Sequence, residues 1–246
     1  MLPSMKINVW PTTDTGKIRA TVKVTFGNAI SIYPIKIIEG KDGLFLGMPQ
    51  VPDRNGAYKD VFHPNSKEAR KELTELVLKA YNPNKTMYME TPSKQEIELG
   101  VNVSLYDSEV SDLIGFAGIN INDSFQIERI RLFQAKKGSY KMIFFPERGY
   151  LDHGQVVTRP IIEFKDDYEN RLKKMIGETY DAAFQARSEA RIRKAMTSMN
   201  YSRELNLDEL MELKRRKEVA ERHVTERDEI PTEESEDCVF EEELVL

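Results

Sequence analysis

The residues best suited to chemistry in this chain are basic side chains near the start of a predicted helix. Lys67, Arg70 and Lys71 are spaced three and four positions apart, so they share one helix face. The free amides of a helix N-terminus also favour phosphate. Further cations flank the first long predicted strand and a long turn, namely Lys17, Arg19, Lys23, Arg54 and Lys59. These residues predict salt-sensitive, sequence-independent contacts with a nucleic-acid backbone.

The same helix face has a second interpretation. Glu68, Glu72 and Glu75 interleave with the three cations. A helix face of alternating charge is also typical of a solvated surface with no ligand. The residues alone leave both interpretations open.

No residue pattern of a catalytic site is present in the sequence. The three histidines, His63, His153 and His223, are far apart and lack metal-ligand spacing. The single cysteine, Cys238, lies among acidic residues, which would not stabilise a thiolate. The glycines of positions 40–47 do not precede a helix as in a phosphate-binding loop. We therefore expect no enzyme, no metal site and no cofactor.

Composition and charge narrow the class of protein. A chain of 246 residues with 40% hydrophobic and 31% charged residues can bury one large core or two small ones. One cysteine permits no intrachain disulfide, which is typical of a reducing compartment. The first residues lack a signal-peptide pattern, and every apolar run is too short to cross a membrane. We expect a cytoplasmic protein.

The charge is unevenly distributed along the chain. Residues 228–246 contain nine acidic side chains and no basic one, so residues 1–227 carry +4 against −5 for the whole chain. This predicts a mildly basic body followed by a disordered acidic tail. A basic body permits nucleic-acid binding, and the tail could compete with nucleic acid for the basic faces.

Apolar alternation predicts a long strand and a hairpin in the first part of the chain. Every second position from 18 to 26 is apolar, as in a half-buried strand. Gly27-Asn28 follows, a pair that tolerates positive φ and favours a tight hairpin turn. In the next strand the apolar phase shifts between Ile32 and Ile35, beside Pro34, which predicts a bulge or an edge position.

The whole pattern returns 95 positions later. Positions 113–121 repeat the alternation, Asn122-Asp123 takes the place of the turn, and the phase shifts again before Ile130. Arg129 occupies the position of Pro34, so the shift does not depend on proline. After small insertions the alignment pairs Pro49 with Pro146 and Pro64 with Pro160. We interpret this as an internal repeat.

Each copy ends in a predicted helix. Asn65 and Glu68 have the spacing of a capping box, and an apolar stripe follows it at Ala69, Leu73, Leu76, Val77 and Ala80. Residues 172–180 repeat the pattern of 73–81, and the second helix continues beyond Tyr180. In this alignment the three cations of the first helix fall on Asp166, Glu169 and Asn170. The second copy should therefore repel the phosphates that the first would bind.

The resulting layout has five parts. Residues 1–81 and 98–186 are the two copies, and the polar residues 82–97 are a linker. Residues 187–227 form a helical extension, in which Asn206 and Glu209 have capping-box spacing. Residues 228–246 are the acidic tail. The extension offers further cations at Arg187, Arg191, Arg193, Lys194 and the run KRRK at 214–217.

Residues 5–81 resemble the SpoVG family of septation regulators (stage V sporulation protein G). The resemblance lies in PIKIIEGKDGLFLGMP at 34–49, DRNGAYKDVFHP at 53–64 and the helix that ends at Tyr81. It implies a bacterial cytoplasmic protein with a compact antiparallel sheet and a C-terminal helix, which forms homodimers. It also implies binding to DNA and, in some members, RNA, in the regulation of septation and sporulation.

The chain departs from the family pattern in three respects. It carries two copies, of which the second lacks the Gly-Leu-Phe and His-Pro elements. It has Gln50-Val51 where the family has a small polar and then a basic residue. It also adds about 60 residues after the second copy. Because family members dimerise, we expect the two copies to pair within one chain as a pseudo-dimer.

The sequence therefore predicts an α+β fold of two tandem SpoVG-like sheets, each closed by a helix. The favoured function is a non-enzymatic regulator that binds the phosphate backbone of DNA or RNA. The alternative is a protein-interaction or oligomerisation module, in which residues 187–227 and the acidic tail recruit a partner or a second copy without nucleic acid.

Overall fold

Within the residues that the structure describes, antiparallel strands and two long helices make up the fold. The computed structural model describes residues 2–13, 15–53, 55–91, 96–107, 111–135, 140–153, 155–204, 211–212 and 215. Every strand pairing within these residues is antiparallel. The α+β class expected from the sequence is confirmed.

Along the chain, a set of sheet strands, a short hairpin and a helix occur in this order twice. In order they are β1 (Met5–Pro11), β2 (Ile18–Phe26), β3 (Ile30–Gly40), β4 (Gly43–Gly47), β5 (Gln50–Pro52), β6 (Tyr58–Asp60), β7 (Phe62–Pro64), α1 (Lys67–Ala80), β8 (Met87–Thr91), β9 (Leu99–Leu105), β10 (Leu113–Ile121), β11 (Phe125–Gln134), β12 (Lys141–Phe144), β13 (Glu147–Asp152), β14 (Gln155–Pro160), β15 (Ile162–Phe164) and α2 (Tyr168–Glu204).

Two larger sheets and two short hairpins organise these strands. The first sheet has the order β15-β3-β2-β1-β8, with β4 also paired to β3. The second has the order β12-β11-β10-β9, with β7 also paired to β11. The hairpins are β5–β6 and β13–β14. Below, residues 1–81 are called the first segment and residues 98–186 the second segment.

Each segment contributes one strand to the sheet of the other. β7 of the first segment pairs with β11, so that Phe62 lies opposite Ile127. β15 of the second segment pairs with β3, so that Ile162 lies opposite Ile32. Flanking backbone bonds match as well: Glu128 N–H donates to Val61 O at 2.8 Å, and Tyr33 N–H donates to Ile161 O at 2.9 Å. The two segments are therefore joined by reciprocal strand pairing.

The strand pairing corrects one part of the sequence alignment. Ile30 and Phe125 are equivalent positions of the two segments, 95 residues apart. Pro64 pairs with Phe125, and Phe164 pairs with Ile30. The counterpart of Pro64 is thus Phe164, and the alignment with Pro160 was wrong by four residues. The number of residues between equivalent positions of the two segments increases here because β14 is longer than β6. The apolar periodicity of the sequence does not reveal this difference in strand length.

The predicted bulge occurs in both sheets. The β2–β3 register shifts between Val22 and Val24, and the β10–β11 register shifts between Ala117 and Ile119. In each case the extra residue is on the second strand, which keeps Ile35 and Ile130 buried. Because one copy has Pro34 at this point and the other Arg129, the bulge belongs to the strand geometry, as the sequence predicted.

The two hairpin turns have the conformation that the sequence predicted. Gly27 and Asn28 have φ values of 52° and 55°, and Asn122 and Asp123 have 49° and 52°. Both central residues in the left-handed region are typical of the type I′ turn, whose twist matches that of paired strands.

The first helix begins one residue later than its predicted cap implies. Ser66 is the N-cap, with extended backbone angles, and its hydroxyl accepts a bond from Ala69 N–H at 3.0 Å. Asn65 instead donates its side-chain amide to Asp123 O at 3.1 Å. The predicted Asn65–Glu68 capping box was therefore wrong, because Asn65 is held by the turn of the second segment. The predicted apolar stripe is confirmed, since Ala69, Leu73, Val77 and Ala80 are buried.

A single core runs through both sheets. Phe26, Phe62 and Phe125 are fully buried, and their ring centroids lie 4.9–5.7 Å apart. Phe62 comes from the exchanged strand β7, while Phe26 and Phe125 come from different segments. Burial and ring contacts of this kind supply much of the stability of a core.

The residues predicted as a linker contain a strand. β8 pairs with β1, and Met5 N–H donates to the Thr91 hydroxyl at 2.9 Å. Met1–Arg187 form one compact unit and Ser188–Leu246 a second. Within the second unit, residues 188–204 are helical, in agreement with the predicted extension. The Asn206–Glu209 cap and the acidic tail lie outside the described residues.

Replacement of Phe62 by Ala should destabilise the compact unit by about 3–5 kcal/mol, because it leaves a cavity where the three rings meet. The measurement is the urea midpoint at an unchanged m value. The matched control is Phe45→Ala, since Phe45 is 48% exposed. Equal losses for the two variants would contradict a core that depends on the exchanged strand.

Candidate nucleic-acid interface

The three predicted phosphate contacts on α1 point away from the core. Lys67, Arg70 and Lys71 are all exposed. The buried side of α1 packs against β1, β4, β7 and β8. Lys71 Nζ lies 3.9 Å from a Glu75 carboxylate oxygen, whereas Lys67 and Arg70 make no ion pair within the described residues. Two cations of the cluster are thus available to a phosphate.

The other predicted contacts do not join this cluster. Arg19 is half-buried and donates Nε and Nη2 to the Glu39 carboxylate, the former at 2.7 Å. Its alternation with buried Ala20 places it on the face of the first sheet that α1 does not cover. Lys17 is exposed in the loop before β2, and Lys59 is exposed on β6. Arg54 lies outside the described residues.

Lys23, also noted in the sequence, is paired with Glu163 of β15. This ion pair crosses from β2 of one segment to the exchanged strand of the other. Lys23 therefore supports the strand exchange and is less available to a ligand than the α1 cations.

Of the two acidic residues that the alignment placed opposite the α1 cations, Glu169 lies on α2, whereas Asp166 precedes the helix with a φ of 53°. Asp166 and Asn170 are exposed, and Glu169 pairs with Lys173 at 2.7 Å. Asn170 donates its amide to the Asp167 carboxylate at 2.8 Å. On the helices themselves, the opposite charge is therefore limited to Glu169, which stands where α1 has Arg70.

Sequence reasoning missed a groove on the outer face of the first sheet, the face that α1 leaves uncovered. The volume of this groove, here called the first groove, is about 340 Å³. Its floor is formed by β2 and β3 of the first segment, through Ile18, Thr21, Tyr33, Pro34 and Lys36. Its wall is the β13–β14 hairpin of the second segment, through Arg148, Tyr150, Arg159 and Pro160.

The charged side chains that line the first groove are all cationic. Arg148 and Arg159 are register partners across the hairpin, and Lys36 faces them from β3. Burial and, to a smaller extent, the Arg148 guanidinium lower the pKa of Lys36. The Arg159 guanidinium carbon lies 4.9 Å from the centre of the Tyr150 ring. The Tyr150 hydroxyl is buried and has no hydrogen-bond partner among the described residues.

A second groove, of about 710 Å³, occupies the corresponding place on the second sheet. Leu113, Phe116, Arg129 and Arg131 stand 95 positions after Ile18, Thr21, Pro34 and Lys36 of the first groove. Its wall comes from the first segment, through residues around the β5–β6 hairpin. This second groove contains two carboxylates, Asp53 and Glu147, beside its two arginines. The grooves thus share a geometry and differ in charge balance.

No local sequence signal identifies the first groove. Lys36 is an ordinary outward position between Ile35 and Ile37, and Arg148 lies more than a hundred residues away. The strand exchange alone brings them to one site. Unpaired cations at outward positions of β3 and β13 would have indicated the groove only if the pairing of β15 with β3 had been known.

Among the described residues, no group of three or more His, Cys, Asp or Glu side chains is arranged to hold a metal ion. None of the helices in the described part of the chain combines the length and apolar character needed to span a membrane.

Comparison with known proteins finds one family. The SpoVG family model matches residues 3–83. A protein described as "Putative septation protein SpoVG" from Heliobacterium modesticaldum is 44% identical over 66 residues, which cover 27% of this chain and 74% of that protein. Proteins of the same description from Archaeoglobus fulgidus and Thermoanaerobacter sp. are 36% identical over 76 residues and 40% over 72. These alignments cover 31% and 29% of this chain, and 89% and 78% of the relatives.

The N-cap of α1, the helix that carries the three cations, can be tested by substitution of Ser66. Ser66→Ala should cost about 1 kcal/mol of unfolding free energy, because Ala69 N–H loses its acceptor. Ser66→Asp should retain the stability, since Asp is an equally good cap and complements the helix dipole. Chemical denaturation measures both variants. An equal loss for both, or none for Ala, would contradict capping by Ser66.

Proposed function

Because the chain belongs to the SpoVG family, we propose that it is a non-enzymatic, cytoplasmic regulatory protein that acts in septation or sporulation by binding nucleic acid. The names of its relatives support the septation role. Binding to the phosphate backbone is supported by the exposed cations of α1, of which Lys67 and Arg70 have no ion-pair partner among the described residues. This cluster is the observation that carries the proposal.

The two segments act, in this proposal, as an intramolecular pseudo-dimer that arose by tandem duplication. The supporting feature is the reciprocity of their contacts. Asn65 N–H donates to Ser124 O, and Lys165 N–H donates to Ala29 O, each at 2.9 Å. Asn65 corresponds to Lys165, and Ala29 to Ser124, so the two bonds are equivalent. Duplication within one chain would convert the dimer implied by the family resemblance into a single unit.

The two copies have different roles in this pseudo-dimer. The first segment binds, because its helix presents Lys67, Arg70 and Lys71. At the start of α2, Glu169 stands where α1 has Arg70, and a carboxylate there disfavours a phosphate. Of the two helices, only α1 should therefore contact nucleic acid.

The alternative, a protein-interaction module, concerns residues 187–227. Ile192 of α2 is 60% exposed, an apolar side chain that a partner could cover. Arg187 is committed within the compact unit, where it forms a bidentate pair with Asp107 at 2.9 and 3.0 Å. Of the KRRK run only Arg215 is described, and the acidic tail lies outside the described residues.

The triple variant Lys67→Ala, Arg70→Ala, Lys71→Ala should weaken binding to duplex DNA, single-stranded DNA or RNA and make it less salt-dependent. For duplex DNA, the slope of log affinity against log salt should fall in magnitude by roughly 2–3, since each phosphate contact contributes about 0.9. Fluorescence anisotropy across a salt series measures this slope.

A control triple on the second segment removes the same charge from the matching helix region. Lys165, Lys173 and Lys174 are changed to Ala, and two of these form ion pairs with Glu169 and Glu178. This control should leave the slope close to that of the unchanged protein. Equal effects of the two triples would contradict a specific α1 face. If the unchanged protein binds none of the three nucleic acids at low salt, the protein-interaction alternative is preferred.

A further inference from the structure

We propose that the first groove, between the outer face of the first sheet and the β13–β14 hairpin, is a phosphate-binding site. Its ligand is a phosphodiester group of the nucleic acid that the proposed function requires, so the inference rests in part on that function. The same chemistry would accept free inorganic phosphate, and the experiment below separates the two sources.

Three cations converge on the first groove without an acidic neighbour. Lys36, Arg148 and Arg159 are the charged residues of its lining, and none of them forms an ion pair within the described residues. On the same sheet face, Arg19 is paired with Glu39 and Lys23 with Glu163. The first groove therefore concentrates positive charge that the protein itself leaves uncompensated. A phosphate would supply the missing charge, and arginine donors suit its geometry.

The Tyr150 hydroxyl is a second, independent indication of a ligand. It is buried and has no partner in the described part of the chain, which is costly for a polar group unless something bonds to it. Its ring lies beneath the Arg159 guanidinium, at 4.9 Å, which restrains the direction of that side chain. A phosphate oxygen in the first groove could accept a hydrogen bond from the hydroxyl while the guanidinium binds another oxygen.

The environment of Lys36 agrees with a site made for an anion. Burial and the neighbouring Arg148 both disfavour the charged amine, and together they lower its pKa. A bound phosphate would offset both effects by placing a negative charge beside the two cations. The charged form of Lys36 is thus destabilised in the groove, and a bound anion would stabilise it.

The second groove has the corresponding backbone and a different balance of charge. Its Arg131 corresponds to Lys36, but Asp53 and Glu147 also line that groove and would repel an anion. The Asp53 carboxylate accepts bonds from the N–H groups of Asn55 and Ala57, at 2.9 and 3.0 Å, which keep it in place. Arg131 is therefore a control of matched position and charge.

The site exists only when both segments are folded together. Lys36 belongs to β3, while Arg148, Tyr150 and Arg159 belong to the hairpin that leads into β15. The pairing of β15 with β3 fixes the hairpin over the sheet. α1 packs on the opposite, buried face of the first sheet, so the first groove is a second basic surface, separate from Lys67, Arg70 and Lys71.

The test uses the full chain with four single variants: Lys36→Ala, Arg148→Ala, Tyr150→Phe and the control Arg131→Ala. The probes are a fluorescein-labelled 20-nucleotide RNA, the matching single-stranded and duplex DNA, and inorganic phosphate. Anisotropy reports the nucleic acids, and NMR shifts of the arginine Nε–H groups report inorganic phosphate. Thermal unfolding checks that each variant is folded. Tyr150→Phe changes no charge, so it remains informative if a charge variant misfolds.

We expect Lys36→Ala and Arg148→Ala each to weaken nucleic-acid binding about tenfold, as for loss of a charged hydrogen bond. Arg131→Ala should change it less than about threefold, because its groove already contains carboxylates. Tyr150→Phe should weaken binding at unchanged salt slope, since no counterion is released.

The outcomes separate this inference from the proposed function. If the α1 triple variant weakens nucleic-acid binding and the three first-groove variants do not, the inference is wrong and the proposed function stands. If nucleic acid does not bind but inorganic phosphate shifts the Arg148 and Arg159 signals, the site stands and the proposed function fails. Equal losses for Lys36→Ala and Arg131→Ala would also overturn the inference, because the effect would then reflect net charge alone.

Discussion

Backbone hydrogen bonds between the exchanged strands are the constraint on which the rest of the structure depends. β7 completes the second sheet and β15 completes the first, so neither sheet has all its strands without the other segment. The same exchange packs Phe62 against both Phe26 and Phe125. It also carries the β13–β14 hairpin over the first sheet. The shared core, the compact unit and the first groove therefore all depend on the exchange of strands.

Near-equivalent backbones in this molecule carry unequal charges. α1 presents Arg70 where α2 presents Glu169, and the first groove is cationic where the second is mixed. The first difference places positive charge on α1, and the second places it over the outer face of the first sheet, where Arg148 and Arg159 come from the hairpin of the second segment. In our proposal a symmetric fold has thus become an asymmetric binder, with two basic surfaces on opposite faces of the first sheet.

Much of each sheet could be predicted from local patterns, because alternation, turn residues and the phase shift at Pro34 and Arg129 act within a few residues. The exchange could not, since periodicity identifies the buried face of a strand but not its partner. The cap was placed at Asn65 because spacing alone cannot show that Asp123 holds that side chain. β8 was missed because a short strand of alternating polarity resembles a polar linker. Of the site, the α1 cluster was visible in sequence, whereas Lys36 and Arg148 meet only through the exchange.

The most direct test of this account is native-state hydrogen exchange at the amides that link the segments. Tyr33, Glu128, Asn65 and Lys165 each donate to a carbonyl of the other segment, at 2.8–2.9 Å. If the segments fold as one unit, all four amides should open with the same free energy as the central strands β2 and β10. Fast exchange at these four positions, with β2 and β10 still protected, would show two separate domains in loose contact and would contradict the account.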